Sequence, residues 1–169
     1  MACVLTTGFV LDCRRSIGGV NEVYFTELSN KATLTEASGS VSAITLTGVT
    51  KFYKYELRKN GSEAKAENQG DIASGSGFLK HSVSIQLDRF EVAKRNEIRL
   101  LAQKPLMCIV KDANGIFSLY GAYRGLDLET GVGQTGKAAA DMNGFTLTFS
   151  GDELDYPLTM TQAQVTAVI

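Results

Sequence analysis

The run Gly131-Val132-Gly133-Gln134-Thr135-Gly136-Lys137-Ala138 has the residue types and spacing that come nearest to a chemistry. It satisfies Gly-x-Gly-x-x-Gly and falls one residue short of a phosphate loop, Gly-x-x-x-x-Gly-Lys-Ser/Thr. The missing residue is the hydroxyl that would bind Mg²⁺, because Ala138 stands in its place. A phosphate loop must also follow a buried parallel strand and open a helix whose N-terminus faces the phosphate. Here only Lys137 to Met142 remain before Asn143-Gly144 and a further strand pattern. The default reading is therefore a flexible glycine loop between strands.

The other reactive residue types are no better grouped. His81 is the single histidine, and beside alternating Val83 and Ile85 it reads as the start of a strand rather than part of a proton relay. A metal needs several convergent ligands, and no cluster of His, Cys and acids offers them. Cys3, Cys13 and Cys108 are odd in number and lack Cys-x-x-Cys spacing. They read as reduced, mostly buried thiols of a cytosolically made chain rather than a disulfide framework. Asp152, Glu153 and Asp155 read as a solvated acidic turn. Tyr53 and Tyr55 could stack bases on a sheet, but core or interface packing is the commoner use. The sequence thus yields no catalytic residue, no cofactor site and no metal site, and the chain is expected not to be an enzyme.

Composition removes further classes. The 169 residues suit one domain spanning the whole chain, 1–169, with a proper core. A formal charge of −1 leaves no basic excess to hold a nucleic-acid backbone. No apolar run approaches the ~20 residues of a membrane helix. The N-terminus lacks the charged and apolar regions of a signal peptide.

Strands dominate the elements that would position any site. Strand-favouring residues mark Glu22 to Leu28 and Val41 to Leu46, and period-two alternation marks Phe52 to Leu57, Val83 to Asp88 and Phe145 to Ser150. Asn-Gly pairs at 60–61, 114–115 and 143–144 suit type I′ turns. The middle one, flanked by Met107–Lys111 and Ile116–Tyr120, predicts a hairpin. One amphipathic helix is predicted from about Phe90 to Gln103, with Asp88 as N-cap candidate and Pro105 as the stop. Residues 58–80 are polar, small and mixed in charge, and predict a long loop that is disordered or ordered by a partner. The uncharged tail after Pro157 is β-prone and, left free, would invite edge pairing. The expected fold is mainly β: a sandwich or barrel-like subunit with one packed helix.

Asn96-Glu97-Ile98-Arg99-Leu100-Leu101, Ile109-Val110-Lys111-Asp112-Ala113-Asn114-Gly115, Tyr120-Gly121 and Asp141 to Gly151 set a rhythm of helix, hairpin, glycine loop and final alternating strand. Over about the last 80 residues this resembles the tail tube (major tail) proteins of long-tailed bacteriophages. The type VI secretion tube protein shares that fold. The resemblance implies a virion structural protein of the tail, made in the host cytoplasm. Six subunits would form a ring, and each would lend strands to an inner barrel. Stacked rings would let DNA pass without specific binding, and would meet other tail proteins such as the tape measure, terminator and baseplate. Asn60, Gly61, Glu63, Lys65, Glu67 and Asp71 then become candidates for an inter-ring arm. Phe145, Leu147, Phe149, Val165 and Val168 become candidates for sheet and tail contacts between copies. The rival readings are another virion part (tail terminator, head–tail connector, baseplate or capsid decoration protein) and a β-sandwich ligand-binding module. The last usually displays aromatic platforms, and the absence of Trp weighs against it.

Overall fold

Alternating apolar residues on two strands, Val83, Ile85 and Leu87 on one and Phe145, Leu147 and Phe149 on the other, form the inner face of a β-sheet in the computed structural model. The structure describes residues 8–9, 16–71 and 73–169. Cys3 and Cys13 lie outside the described residues. The fold is mainly β, with two sheets.

The first sheet has seven strands: β1 (Val20–Glu27), β2 (Lys31–Ala37), β3 (Ser40–Leu46), β4 (Tyr53–Glu56), β7 (Leu106–Asp112), β8 (Phe117–Tyr120) and β11 (Leu158–Met160). Their order is β2-β3-β11-β8-β7-β1-β4. The second has four: β5 (Glu63–Asp71), β6 (Ser76–Asp88), β9 (Asp127–Gln134) and β10 (Gly144–Glu153), ordered β5-β6-β10-β9 and antiparallel throughout.

Strand β7 explains how one sheet serves two cores. Leu106, Cys108 and Val110 face the four-stranded sheet and pack with Phe25, Val83, Ile85, Leu147 and Phe149. Met107 and Ile109 point the other way, into a second cluster with Phe52, Phe117, Leu119, Leu158 and Met160. A strand buried on both faces reads as a continuous apolar run, as Leu106 to Val110 does. Each fully buried Phe or Leu contributes about 1.5–3 kcal/mol. The ring of Phe25 lies 4.8 Å from that of Phe149, tying the two sheets together.

Helix α1 (Val92–Leu101) lies inside the predicted span and sends Ile98 and Leu101 into the inter-sheet core. Its cap differs from expectation. Glu91 holds the N-cap position without a side-chain hydrogen bond. Asp88 instead pairs with Arg58, and its backbone carbonyl accepts from Lys94. Phe90 is not helical; it stacks on Phe145 at 4.7 Å.

Three expectations are corrected. Residues 58–80 are not a long loop: Glu63–Asp71 and Ser76–Asp88 pair as a hairpin, from Glu63↔Ser84 to Asp71↔Ser76. The β-prone tail is not free. Leu158–Met160 pairs with β8 and β3, and Gln162–Val168 forms a second helix, α2, behind a capping box. Thr161 Oγ1 accepts from Gln164 N–H at 3.4 Å, and Thr161 N–H donates to Gln164 Oε1 at 2.8 Å. The Asn114-Gly115 turn joins β7 and β8 as predicted, but only Gly115 takes positive φ (86°). Asp112 Oδ1 instead fixes the turn by accepting from the N–H groups of Asn114 and Ile116 at 2.9 and 2.7 Å.

Candidate functional site

The site with the clearest functional meaning is backbone rather than side chain. Among the described residues, strand β5 pairs only with β6, and β9 only with β10. Among the described residues, no backbone hydrogen bond outside those ladders involves residues 63–71 or 127–134. Each strand therefore presents a row of outward N–H and C=O groups, a template for another strand. The two edges differ in character. On β5, Glu63, Lys65 and Glu67 alternate with Ala64 and Ala66, so the edge is charged. On β9, Thr130-Gly131-Val132-Gly133 is uncharged, and Val132 is 49% exposed. Of the other sheet's two edges, β2 is a mostly exposed strand of seven residues and β4 is less available. β4 has four residues, and the hydroxyl of its Tyr55 donates to Glu97 of α1 at 2.8 Å.

The glycines of β9 have a packing reason. Gly133 stands opposite Phe145. A Cβ there would lie 2.6 Å from the Phe90 ring and 2.8 Å from the Phe145 ring. The stretch is therefore an edge strand up to Gln134, not a flexible loop. The phosphate-loop reading fails locally as well. The N–H groups of Lys137 and Ala138 both donate to Asp141 Oδ2 at 2.8 Å. Those two hydrogen bonds hold the Asp141 carboxyl below its ordinary pKa, so a carboxylate of the chain already occupies the donors a phosphate would use.

The outer face of the four-stranded sheet is polar and acid-rich. Register places Glu63, Lys65, Glu67 and Asp71 there from β5, Lys80, Ser82 and Ser84 from β6, and Thr146, Thr148, Ser150 and Asp152 from β10. Glu129 joins them from β9, at 3.5 Å from Lys80. Its carboxyl is held below the usual range by a hydrogen bond from Ser150 and by nearby Lys80. Lys65 is likewise held by Glu67 at 2.9 Å. Both lysines are thus neutralised locally, and Glu63, Asp71 and Asp152 leave the face negative.

Two side chains pin the loop between β8 and β9 beneath this sheet. Glu153, 1% exposed, accepts at Oε1 from the backbone N–H groups of Tyr123, Arg124 and Gly125 at 3.1, 2.9 and 3.2 Å. Among the described residues its Oε2 has no hydrogen-bond partner. His81, also buried, accepts at Nδ1 from Gly121 N–H at 3.4 Å, so Nε2 carries the proton toward the Asp155 carbonyl at 2.9 Å. Burial pushes its pKa below the ordinary imidazole value. His81 is a structural strand residue, inside β6 rather than at a strand's start. Glu153 is not part of a solvated turn. A signal was present: Phe145, Leu147, Phe149, Gly151 and Glu153 share one parity, which turns Glu153 inward.

The sequence-derived interface residues separate into two groups. Glu63, Lys65, Glu67 and Asp71 lie together along exposed β5, with Asn60 and Gly61 in the turn that precedes it. Phe145, Leu147, Phe149, Val165 and Val168 are 0–7% exposed and pack inside the chain's own two cores. They are spent on folding, so their side chains are not contact surface for another copy. Cys108 is fully buried, and burial raises its pKa, so it is no nucleophile. Among the described residues no group of His, Cys, Asp and Glu could hold a metal ion. None of their helices is long and apolar enough to cross a membrane. A half-open groove of about 730 Å³ lies between β1, β4 and α1, lined in part by Phe25, Tyr53, Tyr55, Glu97 and Leu100. Comparison with known proteins finds no matching family model, no matching curated protein and no matching solved structure.

Proposed function

We propose that this chain is a virion structural protein that assembles into hexameric rings, stacked as a phage tail tube through which DNA passes. One observation carries the reading: the four-stranded sheet buries one face, leaves the other polar and acidic, and keeps both edges open. Strands β5 and β9 run in opposite directions, since three antiparallel steps separate them. Setting β9 of one copy beside β5 of the next therefore continues an antiparallel ladder. The contact is heterologous, and a heterologous contact closes into a ring when its rotation divides the circle. Ring closure removes every exposed edge of that sheet. The polar face then lines a wet lumen, where surplus carboxylates repel phosphates and leave DNA free to slide.

In this reading Glu63, Lys65, Glu67 and Asp71 belong to the ring-closing edge and its projecting hairpin. The partners are sister copies and other tail proteins. Charged side chains on an edge oppose strand addition, so the charged β5 edge pairs best with an uncharged one, and a further charge on β9 adds to that opposition. Val132→Lys places one in the middle of the uncharged β9 edge. Sedimentation of the concentrated protein should show assemblies for the wild type and folded monomers for Val132→Lys. Equal sedimentation of the two proteins, both as monomers, would count against the reading.

A further inference from the structure

We infer that Asn60-Gly61 is a site of spontaneous deamidation, the one Asn-Gly pair of three that this fold leaves reactive. The chemistry needs only the chain and water. The Gly61 backbone nitrogen gives up its proton and attacks Asn60 Cγ. The bond from Cγ to the side-chain nitrogen breaks, ammonia leaves, and a five-membered imide remains. Water then opens the imide at either carbonyl, giving aspartate or an isoaspartyl link that runs through Cβ and Cγ. Glycine after asparagine favours the attack, because no side chain crowds the nitrogen. The three pairs share that feature, so the fold must distinguish them.

Asn114 is held on all sides. Its Oδ1 accepts from Ile17 N–H at 2.9 Å, and its Nδ2 donates to the Ile17 carbonyl at 2.9 Å and to Asp112 Oδ2 at 3.1 Å. The attacking nitrogen, Gly115 N–H, donates to the Asp112 carbonyl at 3.2 Å. Asn143 is held by the sheet. Its Oδ1 accepts from Phe90 N–H at 3.2 Å, and buried Gly144 pairs with both Asp88 and Gln134. Asn60 is exposed in a turn at φ 65°, and among the described residues its side chain has no hydrogen-bond partner. Nothing there must break before Cγ can swing toward the neighbouring nitrogen.

The product changes the fold at a sensitive place. Residues 57–62 carry the chain from β4 in one sheet to β5 in the other. Gly61 sits against Gln86: a Cβ on Gly61 would lie 2.2 Å from Gln86 Oε1. One residue on, Ser62 Oγ accepts from Gln86 N–H at 3.2 Å. An isoaspartyl link adds a backbone methylene where this anchor leaves little slack. The start of β5 is expected to loosen.

Native protein held at mildly alkaline pH should be digested and its three Asn-Gly peptides quantified by mass, with isoaspartate identified by enzymatic methylation. The urea-unfolded chain serves as the reference, since only local sequence acts there. In the native protein the Asn60 peptide should convert several-fold faster than the other two, and in urea the three rates should converge. Asn60→Gln should lose the signal at that peptide alone. Amide exchange at Glu63 to Glu67 should quicken in converted protein. The inference is overturned if Asn114 or Asn143 keeps pace with Asn60 in the native state. It is equally overturned if Asn60 stays intact in the folded chain while reacting in urea.

Discussion

Glu153 shows how much a single buried side chain can organise. Its Oε1 accepts from three successive backbone amides, those of Tyr123, Arg124 and Gly125. Glu153→Ala leaves those donors to find water beneath a sheet. Each unsatisfied buried group costs about 1–3 kcal/mol, and partial hydration offsets some of it, so the variant should lose about 2–4 kcal/mol. Glu153→Gln keeps an acceptor oxygen and should lose less. Urea titrations of the two variants test the order. His81 makes a pH prediction. Its pKa is depressed in the folded state from an ordinary value of 6.5, so the unfolded chain takes up the proton first as pH falls. Stability from this group is complete above that value and declines below it, at no more than about 1.4 kcal/mol per pH unit. Denaturation midpoints between neutral pH and about pH 5 should fall for the wild type. The slope over that window should be shallower in His81→Gln; equal slopes would contradict the assignment.

Among the elements, helix α2 shows what overrides local propensity. Gln162-Ala163-Gln164-Val165-Thr166-Ala167-Val168 is uncharged and holds three β-branched residues, which is why it reads as a strand. The Thr161–Gln164 capping box and the burial of Val165 and Val168 against the second core decide otherwise. Thr161→Ala should cost about 1 kcal/mol and raise amide exchange through 162–168. Strand β5 was illegible for the opposite reason. Ala64 and Ala66 are the only apolar residues on its inner face, too small to signal alternation, and the strand exists because β6 supplies a ladder. Strand β9 hid behind glycines whose missing side chains make room for the Phe90–Phe145 stack. By contrast the Val83–Asp88 part of β6, β10, the β7–β8 hairpin and α1 were legible, since each carries its own period in large side chains. The buried interface residues were misplaced because apolar alternation marks a buried face without saying what buries it. For Phe145, Leu147 and Phe149 the covering surface is the chain's own seven-stranded sheet.

At the scale of the whole molecule, the chain separates two tasks. The seven-stranded sheet, with α2 against one side, contains the second core and half of the first. The four-stranded sheet completes the first core, and none of the described strands covers its edges. Such an arrangement is an aggregation hazard in a monomer and an assembly device in a ring. The negative outer face does not show in the near-zero net charge, because basic residues such as Lys51, Arg89 and Lys104 lie elsewhere. The most direct test is electron microscopy of the concentrated protein, viewed end-on. The account predicts closed six-fold rings, alone or stacked as tubes, with the four-stranded sheets facing the central hole. Isolated monomers at every concentration, or oligomers in which β5 and β9 both remain bare, would contradict it.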